Sequence, residues 1–107
     1  MPVRLERWDP AWGALSEQAI RRRLEAEGYA VTRYVYPPAT VFPDHTHPVD
    51  KKDSVLRGRF KISAEGREII MQAGDMVEIP AGTVHAARVL GDEPVVSFDA
   101  TRPSSTK

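Results

Sequence analysis

The feature that most limits the possible folds is a regular series of short apolar segments between residues 29 and 101, separated by glycine- and proline-rich breaks. Segments rich in β-branched and aromatic residues are typical of strands, and glycine or proline at the breaks is typical of tight turns. Gly58 lies inside this pattern and predicts a bulge or a tight bend. Many short strands at such spacing predict an all-β sandwich or barrel. The predicted strands cover residues 29–36, 41–42 with the segment that follows, 54–57, 60–62, 68–71, 76–79, 85–90 and 95–100.

A helix is expected only ahead of these strands, after an irregular segment that carries two tryptophans. Ser16 is a suitable N-cap for a helix from Glu17 to about Glu27, and Gly28 is a suitable C-terminal stop. The sequence therefore predicts three regions. They are an N-terminal segment and helix at residues 1–28, a β-barrel at residues 29–101 and a flexible tail at residues 102–107.

Composition excludes several kinds of function. The 107 residues fit one domain, and the absence of cysteine excludes disulfides, thiol nucleophiles and thiolate metal ligands. The 15 basic and 15 acidic residues balance, so we expect no nucleic-acid partner. No apolar run is long enough to cross a membrane and the N-terminus lacks a signal-peptide pattern, so we expect no membrane partner and a cytoplasmic location.

All three histidines lie in two short segments, which predicts a divided metal site. His45 and His47 form an H-x-H pair, and their side chains share one face if the segment is extended. His85 follows the turn Pro80–Thr83 and begins another predicted strand. Imidazole nitrogens suit several transition metals. We therefore expect the strands of the two segments to face each other across the barrel and to bind one metal ion.

These segments resemble the two signature motifs of the cupin superfamily. The first motif runs Gly, five residues, H-x-H, three or four residues, Glu, six residues, Gly, and it is matched at His45, His47 and Gly58, with Ala39-Thr40 near the leading Gly. The second runs Gly, five residues, P-x-G, two residues, His, three residues, Asn, and it is matched at Gly74, Pro80, Gly82 and His85, with Val89 replacing Asn. The similarity spans roughly residues 30 to 100.

The resemblance implies a small single-domain cupin, that is, a double-stranded β-helix or jelly-roll barrel with the short N-terminal helix packed outside it. It implies one divalent transition metal (Fe, Zn, Ni, Cu or Mn) at His45, His47 and His85. Small cupins of this kind are often homodimers, and we expect the apolar stripe of the helix, with Trp8 and Trp12, to contribute to the interface. The fold itself leaves the activity open, because one fold hosts many functions.

The clear departure from the first motif is Lys51, which occupies the position of the usual metal-binding glutamate. Three alternatives are open for Lys51. The side chain turns outward, or it loses its proton and acts as a base or nucleophile. In the third alternative it pairs with Asp50 or Asp53 in an anion-binding site. Asp53 shares the face of Lys51 in an extended strand, as a replacement ligand or as a counter-ion. The counter-ion role is favoured, because one strand step displaces a ligand by about 6–7 Å. Lys51 and Asp53 are the candidate catalytic residues.

Two functions follow from this site. The first is a metal-dependent, dioxygenase-like enzyme that acts on a small molecule. Three imidazole ligands leave positions for dioxygen or a bidentate oxygen substrate, which the metal polarises as a Lewis acid. The alternative is a non-catalytic cupin that binds or senses a small ligand, with or without a metal. The chain carries no helix-turn-helix segment, so such a sensor would need a partner to regulate transcription.

Overall fold

The computed structural model describes residues 3–103, which form two antiparallel β-sheets that pack face to face. One sheet has the strand order β1-β7-β4-β9-β2 and the other the order β3-β8-β5-β6, in the bounds given next. The strands are β1 (Arg4–Glu6), β2 (Ala30–Tyr36), β3 (Val41–His45), β4 (Asp50–Arg57), β5 (Arg59–Ala64), β6 (Arg67–Met71), β7 (Met76–Ile79), β8 (His85–Leu90) and β9 (Val95–Arg102). The all-β jelly-roll prediction with one short helix is confirmed.

The helix α1 (Glu17–Ala26) begins where the sequence predicts, because the Ser16 side chain accepts a hydrogen bond from the backbone N–H of Ala19. Ile20 and Leu24 are fully buried in one cluster with Met76 and Phe98 of the five-stranded sheet. The outer face of this sheet is apolar and needs a cover. The helix provides this cover from outside the barrel, as predicted.

This packing changes the expectation for a dimer interface. The apolar stripe of α1 is buried within its own chain, so it is not available to a second copy. Trp8 packs against the same cluster, and the guanidinium of Arg23 lies 3.4 Å from the centroid of the Trp12 ring. Ile20 and Leu24 therefore do not contribute to a dimer interface, whereas the contribution of the partly buried Trp8 and Trp12 stays a prediction.

Several boundaries differ from the prediction. The short strand β1 lies ahead of the tryptophan-bearing segment, where no strand is predicted, and Leu5 pairs with Val77 of β7. Three residues are too few to show an alternating pattern. Strand β4 begins at Asp50 rather than at Ser54, so the whole Lys51 region is part of the sheet. Strand β9 ends at Arg102, and residues 104–107 of the predicted tail lie outside the described residues.

The interior between the sheets is built from alternating side chains of both sheets, among them Val55, Val77, Phe60 and Ile62. The predicted bend at Gly58 is confirmed. Its φ is +82°, and a Cβ atom there would lie 2.5 Å from the carbonyl oxygen of Pro94. Within residues 3–103, none of the helical segments has the length and hydropathy required to span a membrane.

Candidate metal centre

His45 and His85 lie side by side in the four-stranded sheet. His45 is the last residue of β3, His85 is the first residue of β8, and the two are directly paired. Their ring centroids are 4.2 Å apart. The expectation that their strands face each other across the barrel is wrong, because β3 and β8 are antiparallel neighbours. Such neighbours place the end of one strand beside the start of the other.

His47 reaches the same place from a loop rather than from a strand. It follows the end of β3, and its carbonyl oxygen accepts a hydrogen bond of 2.9 Å from the backbone N–H of Gly82. Asp50 Oδ1 accepts a second bond of 2.9 Å from the N–H of Ala81. These bonds tie the loop to the turn before β8. The His47 ring centroid lies 4.8 Å from that of His45 and 5.2 Å from that of His85.

The ring nitrogens are arranged as metal ligands require. Nδ1 of His45 lies 2.7 Å from the carbonyl oxygen of Pro43, and Nδ1 of His85 lies 2.9 Å from that of Thr83. A carbonyl only accepts, so each Nδ1 carries the proton and each Nε2 keeps a free lone pair. Nε2 of His47 is buried and has no hydrogen-bond partner among the described residues.

This donor set fits one small transition-metal ion. The candidate ligand atoms of the three histidines all lie within 4.8 Å of one another. Nitrogen ligands of one tetrahedral zinc ion lie about 3.4 Å apart, so the rings must close by at most about 1.4 Å. Imidazole binds a metal only in its neutral form. His45, His47 and His85 would hold the metal.

The surroundings of His47 and His85 lower the pKa values of both imidazoles and so favour their neutral forms. Burial, and after it the nearby Lys51 ammonium, lowers the pKa of His47 to about 4. Burial also lowers the pKa of His85, although its hydrogen bond to Thr83 opposes the shift. Near neutral pH these two imidazoles are therefore ready to bind a cation.

Lys51 and Asp53 lie on the inner face of β4 and line the same cavity as the histidines. Lys51 Nζ lies 3.5 Å from Asp53 Oδ2, and the Lys51 side chain is only 12% exposed. Of the three alternatives for Lys51, the structure shows the inward side chain paired with a carboxylate. Asp53 is that partner, as expected for the counter-ion, whereas Asp50 binds the turn at Ala81.

Asp99 is a cavity residue that sequence reasoning missed. It lies on β9 directly opposite Asp53 of β4. Its Oδ2 accepts a hydrogen bond of 2.5 Å from Tyr36 Oη, and its Oδ1 accepts one of 2.5 Å from Ser97 Oγ. The alternation along β9 puts Ser97 and Asp99 on one face, but it does not tell which strand lies opposite.

The pKa values of Asp53 and of the neighbouring Tyr36 are both shifted in this cavity. Burial, followed by the charge of Asp99, raises the pKa of Asp53 to about 7, although Lys51 opposes the shift. Burial and the hydrogen bond to Asp99 raise the pKa of Tyr36 above its ordinary value. Perturbed groups in a cavity mark candidate functional residues.

The cavity is large enough for a small molecule, at about 540 Å³. The histidines line it from the four-stranded sheet and its loop, and the polar residues of β4 and β9 line it from the facing sheet. Phe42 and Phe60 supply apolar wall, with ring centroids 6.2 Å apart. The site thus combines a metal-ligand set, an ion pair and an apolar surface.

The family model for the cupin domain matches residues 32–101, so the chain belongs to the cupin family. No curated protein matches the chain. A DUF861 family protein from Thermotoga maritima is similar over 94% of this chain and 100% of its own, with 20% identity and a TM-score of 0.63. KdgF from Halomonas sp. is similar over 68% of both chains, with 23% identity and a TM-score of 0.61. These two likenesses show the fold alone.

A third similar structure is that of the DMSP lyase DddQ from Ruegeria pomeroyi, with 26% identity and a TM-score of 0.64. The likeness covers 74% of this chain, which spans 40% of that enzyme's length.

Proposed function

We propose that this cupin binds one divalent transition metal through His45, His47 and His85 and acts as a metal-dependent enzyme on a small molecule. The observation that carries the proposal is the convergence of three imidazoles, one with a buried and unpaired Nε2 within the described chain, on the wall of a cavity. A lyase among the similar structures supports an enzymatic use of this fold.

The finer proposal is dioxygenase-like chemistry. A metal held by His45, His47 and His85 would supply Lewis acidity for the polarisation of substrate oxygen atoms. Three protein ligands leave positions for a bidentate oxygen substrate. Phe42 and Phe60 hold its apolar part and exclude water, and Lys51 is placed to orient an anionic oxygen.

The alternative is a non-catalytic cupin that binds or senses a small ligand. The observation that favours it is the Lys51 ammonium at the position of the usual fourth ligand, inside the cavity. This cation repels a metal ion and attracts an anion, so the same cavity would bind a small anion without turnover.

Replacement of His47 separates the two functions. The protein is loaded with Fe²⁺, Zn²⁺, Ni²⁺, Cu²⁺ or Mn²⁺ and tested against a panel of small oxygen-bearing acids, diols and enols for thermal shift and product. The enzyme proposal predicts that His47→Ala loses metal and turnover together. The exposed Asp44→Ala is the matched control and should lose neither. A ligand-dependent thermal shift that survives His47→Ala, without product in the parent, would establish the alternative.

We also propose that the protein is a homodimer, with an interface that does not use the stripe of α1. Light scattering tests this, and a mass of one chain across the micromolar range would contradict it.

A further inference from the structure

The sheet that faces the histidines carries a second polar cluster, formed by Asp53, Asp99, Tyr36, Ser97 and Lys51. Both oxygens of Asp99 accept hydrogen bonds from hydroxyl groups, one from Tyr36 and one from Ser97. A carboxylate that accepts two such bonds is stabilised in its charged form. Asp99 is therefore the fixed anion of this cluster.

Asp53 is held differently, although it lies directly opposite Asp99. Its residue is 5% exposed, and its Oδ2 lies 3.5 Å from Lys51 Nζ. Its Oδ1 is buried and lacks a hydrogen-bond partner within residues 3–103. An unpartnered buried oxygen on a cavity wall has room for a proton of its own or for a ligand.

Asp53 is buried and the adjacent Asp99 is half-buried, and two carboxylates so close together do not both ionise easily, so the pair tends to hold one proton. The hydroxyl donors assign the charge to Asp99, which leaves the proton to Asp53. The side chains that surround Asp53 come from several elements. Lys51 faces Asp53 from its own strand, Asp99 from β9 and Tyr36 from β2, the apolar Val77 pairs with it from β7, and His47 lies on the far wall.

We propose that Asp53 is the proton carrier of this site, with Asp99, Tyr36 and Ser97 as positioning residues, and that the substrate is a small molecule with an ionisable hydroxyl beside a second oxygen. The inference rests on the proposed function. Above about pH 7 Asp53 has released its own proton to solvent. When the substrate then binds, its O–H bond breaks, the electron pair stays on the substrate oxygen, and the proton forms an O–H bond with the ionised Asp53. No electrons change hands, and product release returns the proton.

The first test needs neither metal nor substrate. Aspartate is labelled with ¹³C at the carboxyl carbon, and the metal-free protein is titrated by NMR. One aspartate signal should titrate near pH 7, where burial and Asp99 place the pKa of Asp53. This signal should disappear in Asp53→Asn and move toward the ordinary acidic range in Asp99→Asn. The exposed Asp92→Asn is the matched control and should leave it in place.

Tyr36→Phe keeps both carboxyls and removes one hydroxyl donor, so it tests the asymmetry of the pair. The Asp53 signal should then titrate at a lower pH, because the negative charge of the pair is no longer held by two hydroxyl donors on the opposite carboxylate. If Asp53 titrates in the ordinary acidic range in the parent, or if Asp99→Asn leaves its titration unchanged, the inference is wrong.

The second test counts protons in the loaded protein. Acetohydroxamic acid, a bidentate oxygen chelator with an ionisable hydroxyl, is bound to the Zn²⁺-loaded protein at pH 8 by calorimetry in buffers of different ionisation enthalpy. The anionic oxygen of the bound chelator favours the protonated form of Asp53, so the parent should release clearly less than the roughly one proton that Asp53→Asn releases. Equal release from both overturns the inference. If the parent does not bind zinc, the proposed function fails, while the carboxyl titration still decides the role of Asp53.

Discussion

Lys51 and Lys52 are neighbours in sequence but lie on opposite faces of β4, and their surroundings differ. Lys52 Nζ donates to Glu6 Oε1 at 2.9 Å and to Glu27 Oε1 at 2.7 Å, outside the barrel. Burial opposes its charge, but these two hydrogen bonds outweigh burial and raise the pKa of Lys52. Lys51 has the single carboxylate of Asp53, at 3.5 Å, and faces the cavity.

The difference separates two uses of charge in one strand. On the outer face, Lys52 ties β1 and the end of α1 to the five-stranded sheet, so its role is structural. On the inner face, Lys51 leaves Asp53 with an unsatisfied oxygen, and its charge adds to burial in lowering the pKa of His47. Incomplete pairing costs stability, and it is most common where a site must bind something else.

Replacing each lysine by methionine tests this separation, and it has the largest expected effect. Lys52→Met should lower the free energy of unfolding by about 2 kcal/mol, because removal of one partner of a buried pair costs about 3–5 kcal/mol and the two glutamates can partly rehydrate. Lys51→Met should cost under about 1 kcal/mol, because Asp53 can take up a proton. Urea denaturation at pH 7 measures both. Equal losses would contradict the separation.

Changing the charge of Lys51 sharpens the comparison for metal binding. Lys51→Glu removes a repulsive cation and adds an anionic ligand, so metal affinity should rise about tenfold, or about 1.4 kcal/mol. Lys52→Gln is the control on the outer face and should leave affinity unchanged. Calorimetric titration with Zn²⁺ measures both. If Lys51→Glu also leaves affinity unchanged, Lys51 does not act on the metal site.

The inner face should also show two opposite pH dependences of stability in the metal-free protein. His47 has a pKa of about 4 when folded, below its ordinary 6.5, so the unfolded chain binds more protons and stability falls as pH drops from about 6.5 to 4. Asp53 has a pKa of about 7 when folded, above its ordinary 3.8, so the folded chain binds more protons. Stability therefore falls as pH rises from about 3.8 to about 7.

Variants separate the two contributions, of which that of the partly exposed His47 is on the order of 1 kcal/mol after solvent screening. His47→Gln should be more stable relative to the parent at pH 4.5 than at pH 7. The stability of Asp53→Asn relative to the parent should be higher at pH 7.5 than at pH 4.5. Urea unfolding across this range measures both, and parallel profiles for parent and variants would refute the assignment.

Ala39 lies in a turn, away from both faces of β4, and its replacement has the smallest expected effect. The N–H of Thr40 donates to the carbonyl of Pro37 at 3.2 Å, and Ala39 has a φ of +68° at the third position of that turn. Ala39→Gly should therefore stabilise the fold by about 0.5–1 kcal/mol. Ala30→Gly, in the extended strand β2, should destabilise it by a similar amount. Thermal unfolding distinguishes the two, and a loss of stability in Ala39→Gly would be contrary to this account.

Local patterns predicted much of this structure, but strand neighbours did not follow from them. The cap at Ser16 and the shared face of Lys51 and Asp53 depend on residues close in sequence, so the sequence predicted both. The pairing of β3 with β8 and the position of Asp99 opposite Asp53 depend on contacts between distant segments. A two-residue alternation tells which side chains share a face, but it does not tell which strand lies beside them.

The most direct test of the metal site is elemental analysis of protein purified without chelator, compared with His45→Ala/His85→Ala. We expect close to one transition-metal ion per chain in the parent and almost none in the variant, because the two segments form one ligand set. Lys52→Gln, on the opposite face of the sheet, should retain the parent's metal content. A parent that carries no metal under any supply would contradict the three-histidine site.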